Sequence, residues 1–82
     1  MKINEAFAKR VKQLLKIKKM TQYKLAQETG LYQSTMTDIL RCKYETANFK
    51  NMLLIIKALG VSLSEFFDDP LFAFSNLESF EK

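Results

Sequence analysis

An 82-residue chain with 48% hydrophobic residues has room for one domain with a modest core, and is too apolar for global disorder. Thirteen Lys and Arg against nine Asp and Glu give a formal charge of +4, a mild bias toward polyanions. With no His, one Cys, two Gly and no strictly apolar run longer than residues 52–56, the chain offers no zinc or haem site, internal disulfide, glycine-rich phosphate cradle, base-activated nucleophile or membrane span.

The first helix is expected over residues 3–18. Ile3, Phe7, Val11 and Leu14 recur at spacings of four, four and three, which places them on one face, and Asn4 is its candidate N-cap. Lys9, Lys12 and Lys16 fall on other faces. Thr21 then caps a second helix over 22–28, although Lys24 stands where a capping box would want an acid. Leu25 and Ala26 face inward, and Gly30 suits the left-handed residue that ends a helix. A third helix over 33–41 turns Met36, Ile39 and Leu40 to the core.

Residues 42–48 break the periodicity and read as a loop. Asn48 caps a fourth helix over 49–59, apolar on most sides and therefore expected to be the most buried element, with Phe49 in the core. Gly60 ends it. Ser62 and Glu65 form a capping box, and Val61 can staple onto Phe66, so a fifth helix is expected from Leu63 to about Asp68, with Pro70 as its stop. The whole is an all-α, compact five-helix domain over residues 1–69, followed by a short apolar C-terminal tail over 70–82.

The stretch 21–41 holds the most information. Two short amphipathic helices flank the turn Thr29-Gly30-Leu31, which is the pattern of a helix-turn-helix whose second helix can enter the DNA major groove. Ala26, one helical turn before Gly30, is small where the two helices approach. Gln33, Ser34, Thr37 and Asp38 point outward, polar and of a length to reach base edges. The plainer reading of the same residues is a solvated helix face. Charge favours the former: residues 1–44 hold ten bases and three acids, whereas residues 45–82 hold three bases and six acids.

These residues resemble the phage repressor and Cro-like family of helix-turn-helix domains, also called Xre-type. The resemblance rests on Thr21-Gln22, Leu25-Ala26-Gln27, Gly30-Leu31, Gln33-Ser34-Thr35-Met36, Ile39, Lys43 and the run Lys57-Ala58-Leu59-Gly60-Val61-Ser62, and it covers about residues 3–69. It implies the compact five-helix lambda-repressor-like fold, and roles for individual residues. Gln22 would bond a DNA phosphate, Gln33 would read a base, often adenine, with Ser34, Thr37 and Asp38 as the other groove-facing residues. Thr21, Tyr32, Arg41 and Lys43 would lie along the DNA backbone. Four positions depart from the family pattern. Tyr32 replaces the usual Ser or Thr cap of the third helix, Lys19 and Cys42 stand where a helix-ending Gly is common, and Leu40 replaces a frequent polar residue.

In the tail, Leu71, Phe72, Phe74, Leu77 and Phe80 are too apolar for an idle terminus. Phe72 and Phe74 alternate as in a strand, while Leu77 and Phe80 fit one helical face. Self-association is the expected use, packing back on the domain the alternative. The function expected is sequence-specific binding of double-stranded DNA by a transcriptional regulator, in the sense of a repressor, acting as a homodimer on a palindromic operator. A protein-interaction module, such as an antitoxin-like partner with a Phe-rich tail, is the alternative. No enzyme, cofactor, metal, membrane partner or small-molecule effector is indicated. Met1 and Lys2 lead into polar and charged residues, so no signal peptide is expected, and the lone cysteine fits a cytoplasmic setting in a prokaryote or phage.

Overall fold

Five α-helices and two short 3-10 turns make up the computed structural model, which describes residues 1–78. The helices are α1 (Ile3–Lys18), α2 (Gln22–Thr29), α3 (Gln33–Leu40), α4 (Phe49–Leu59) and α5 (Leu63–Phe67). No strand occurs among the described residues. Each boundary has a local chemical cause. Thr21 Oγ1 accepts the Lys24 N–H at 3.0 Å, Asn48 Oδ1 accepts the Asn51 N–H at 2.8 Å, and Ser62 and Glu65 exchange both bonds of a capping box. Gly30 and Gly60 end α2 and α4 at φ 77°, where a Cβ is unwelcome.

The start of α1 differs from expectation. The helix begins at Ile3, so Asn4 lies inside its first turn and is no cap; the Glu5 carboxylate instead accepts the Lys2 N–H at 2.8 Å. Beginning at Ile3 sets that side chain one turn from Phe7 on the same face. Asn4 Nδ2 donates to the Tyr44 carbonyl at 2.6 Å, which ties α1 to the loop after α3.

Lys19 (φ 55°) and Cys42 (φ 60°) both take the left-handed conformation despite carrying a Cβ. After each, the next N–H reaches back five residues: Met20 to the Leu15 carbonyl at 2.9 Å, and Lys43 to the Asp38 carbonyl at 3.0 Å. The ends that lack glycine therefore have the shape a glycine would give them.

Val11, Leu25, Met36, Ile55, Ile56, Leu59 and Phe66 form the centre of the core, with α2 packed on α4 and α3, and α1 on α3 and α4. The Phe7 and Phe66 rings meet at 5.2 Å between centroids. Here α4 corrects the expectation. It buries Ile55, Ile56 and Leu59, whereas α1 buries six residues and is the more enclosed element. Phe49 is 80% exposed rather than core, and Leu53, one turn on, is also exposed. The neighbours cover only one stripe of an apolar circumference, and the first turn of α4 projects beyond them.

The tail forms neither a strand nor a continuous helix. Asp69 Oδ1 caps the Leu71 N–H at 2.9 Å, and Pro70 opens a 3-10 turn (Pro70–Phe72), followed by a second (Phe74–Asn76). Phe72 packs back on the domain, 4.9 Å from the Phe67 ring and 5.8 Å from Phe66. Leu71 and Leu77 are half-buried, Phe74 is exposed, and Phe80 lies outside the described residues. Glu78 returns to the start of the chain. Its N–H donates to the Met1 carbonyl at 2.8 Å, and its carboxylate lies 2.9 Å from the terminal ammonium, which holds that carboxyl below its usual pKa.

Candidate nucleic-acid interface

The turn between α2 and α3 is fixed by one buried hydroxyl. Thr29 Oγ1 donates to the Ala26 carbonyl at 2.8 Å and accepts the Leu31 N–H at 3.1 Å, while the Gly30 N–H also returns to the Ala26 carbonyl at 3.0 Å. Ala26 is fully buried. With Leu31 half-buried against the core and Met36 and Ile39 anchoring α3 from below, the angle between the two helices is set by packing and by these bonds together.

This leaves the other side of α3 free. Gln33 and Ser34 are exposed, and Thr37 and Asp38 are half-buried. Gln33 Nε2 donates to the Tyr23 carbonyl at 3.2 Å, which pins the amide to α2. Its second Nε2 hydrogen and its Oε1 remain, and that donor and acceptor pair matches N7 and N6 of adenine. Gln22 Nε2 donates to Thr37 Oγ1 at 2.9 Å, bridging the first turn of α2 to the middle of α3. Thr37 keeps its own hydroxyl hydrogen to donate.

Asp38 is the one acid in α3, and Lys43 Nζ lies 3.7 Å from its carboxylate. The same ammonium sits 5.7 Å from the centre of the Tyr44 ring. Tyr32 precedes α3 in extended conformation without a side-chain cap and is exposed; Thr21 and Arg41 are exposed as well. The expected site residues therefore fall on two neighbouring elements, with Thr21 and Gln22 at the start of α2, Tyr32 through Arg41 along α3, and Lys43 just beyond it.

Two residues that position this site, and a third that fastens α5 to α1, were not singled out from the sequence. Thr29 is one; a threonine in the last turn of a helix that can bond a carbonyl three residues back was its signal. Tyr23 is another, and it acts through its carbonyl, which leaves no trace in side-chain pattern. Arg10 is the third. It lies three residues after Phe7 and four before Leu14, within the apolar stripe, and its side chain is 13% exposed. Its Nε and Nη2 donate to the carbonyls of Phe66 and Glu65, both at 2.7 Å, and Nη1 reaches Asp69 at 3.4 Å. A cation thereby closes the C-terminal end of α5 and joins it to α1.

No helix among the described residues is long and apolar enough to cross a membrane, and no cluster of three candidate metal ligands occurs among them. Neither a curated protein nor a solved structure matches the chain. A family model does: that of the Cro/C1-type HTH DNA-binding domain, over residues 10–70, from the arginine that ties α1 to α5 through to the proline after α5. The chain thus belongs to the Cro/C1-type helix-turn-helix DNA-binding family.

Proposed function

We propose that the protein is a transcriptional repressor that sets α3 in the major groove of double-stranded DNA. Gln33, Ser34, Thr37 and Asp38 read base edges, and Thr21, Gln22, Tyr32, Arg41 and Lys43 hold the backbone on either side. The observation that carries this reading is Gln33. Its amide donates to the Tyr23 carbonyl with one donor and one acceptor still unused, so part of the side-chain ordering that a base contact requires is already in place. Family membership and the basic first half of the chain support the same assignment. Repression follows if the operator overlaps a promoter, and two copies on a two-fold operator double the contacts made by one small domain.

Selection of bound duplexes from random DNA tests the reading. A single preferred site is expected, with adenine at the position facing Gln33. On that site Gln33→Ala should cost about 1–3 kcal/mol and relax choice at one base pair. Uniform weakening on all sequences would show that Gln33 touches only backbone, and no enrichment of any sequence would remove specific recognition.

A further inference from the structure

We propose that the apolar groove beside the loop from α3 to α4 seats a second copy of this chain, with Phe49 of each copy inserted in the groove of the other. The proposal rests on the reading that the protein acts on DNA as a pair, and it assigns the surface that makes the pair.

The groove has a volume of about 480 Å³ and an almost wholly apolar wall. Buried Phe7 and Ile39 meet half-buried Met52 and Phe72 there, with Tyr44 and Phe49 exposed among its lining residues. A cavity of about 150 Å³ already admits a benzene ring, so a phenyl group from outside fits here with room to spare. A two-fold contact requires a projection and its receptor on the same patch, because each copy must offer both. Phe49 is that projection: 80% exposed, on the first turn of α4, among the residues that line the hole.

Charge selects the same occupant. The charged residues next in sequence to the lining aromatics are Lys43, Glu45, Lys50 and Asp68, all exposed and of both signs. Lys43 is paired with Asp38, and Glu45, Lys50 and Asp68 are in no ion pair among the described residues. Across a two-fold axis the Lys50 of one copy meets an acid of the other. The loop is also anchored to α3 through Lys43 on Asp38, and to α1 through Asn4 on the Tyr44 carbonyl. Joining two copies here therefore fixes the separation of two α3 helices. One ring inserted on each side makes a weak dimer in free solution, and a tighter one on DNA, where two bound half-sites raise the effective concentration.

Sedimentation equilibrium of the full chain, alone up to millimolar concentration and on the duplex recovered by selection, tests the proposal. Self-association is expected, with Phe49→Asp weakening it at least tenfold while the thermal midpoint and the affinity for a single half-site stay unchanged. Lys50→Glu, which removes the unpaired cation beside the groove and leaves Glu45 and Asp68 without an opposite charge across the contact, should also weaken it. A dimer indifferent to Phe49→Asp would place the interface elsewhere and overturn the proposal. A chain that stays monomeric both alone and on the full duplex would overturn it as well. In either case intact half-site binding leaves the DNA reading standing, whereas failure to bind any duplex, with self-association retained, would sink that reading and not this surface.

Discussion

At the scale of single residues, the proposed recognition face divides into groups that are already held and groups that are open. Thr37 was expected among the base readers, but its hydroxyl also accepts from Gln22 at 2.9 Å, so the two side chains form one bridge between α2 and α3. Removing either end removes the same bond. Gln22→Ala and Thr37→Ala should therefore be non-additive, with the double variant losing less DNA affinity than the two single losses combined, by a coupling of about 0.5–1.5 kcal/mol. A double-mutant cycle by gel-shift titration measures it, and strict additivity would show that the bridge does not survive on DNA. Asp38 is held in a comparable way by Lys43, which lowers the repulsion an unpaired carboxylate would exert on phosphates.

At the scale of elements, sequence patterns located α2, α4 and α5 through caps and breakers with a chemistry of their own, and α1 and α3 through the spacing of their apolar residues. Thr21, Asn48 and Ser62 accept N–H groups as caps, and Gly30 and Gly60 turn left-handed. What the pattern could not convey is how far an apolar surface is covered. The run in α4 reads as enclosed, yet Phe49 and Leu53 face outward, because cover depends on neighbours that a local pattern does not contain. Asn4 failed as a cap for a related reason: its partner, the Tyr44 carbonyl, lies forty residues away. Arg10 was equally hidden, since it bonds main-chain carbonyls at the end of α5. Replacing it with Met keeps the stem and removes the fork, leaving the Phe66 and Glu65 carbonyls and Asp69 without their cation. Arg10→Met should destabilise the domain by about 2–3 kcal/mol in denaturant unfolding, and Arg10→Lys should recover only part, because an ammonium cannot serve the three acceptors with the same planar geometry. A loss below about 0.5 kcal/mol would mean that water replaces the guanidinium without cost.

At the scale of the whole molecule, the tail decides what the unit of stability is. Its apolar residues gave a clear signal that something must cover them, and of three outlets, the domain's own core, a second copy or another protein, the second copy was the expected one. The structure assigns Phe72 to the first, against Phe66 and Phe67, and Phe66 is itself at the centre of the core. Leu71 is half-buried, and Glu78 is bound to Met1 through both main chain and side chain. Residues 70–78 thus add to the hydrophobic unit that positions α3. Truncation after Asp69 keeps the Arg10 contact but removes the Phe72 ring and the link to Met1. Partial burial of one Phe and one Leu corresponds to about 2 kcal/mol, or a fall in thermal midpoint of roughly 8–16 °C for a domain of this size. Because Phe72 also lines the groove beside Phe49, the shortened chain should lose self-association together with stability, while Phe49→Asp loses self-association alone. Thermal unfolding and sedimentation of the two variants in parallel separate these effects. An unchanged midpoint after truncation would show that the Phe72 contact adds nothing to stability, and would return the tail residues to the surface as groups available to a partner.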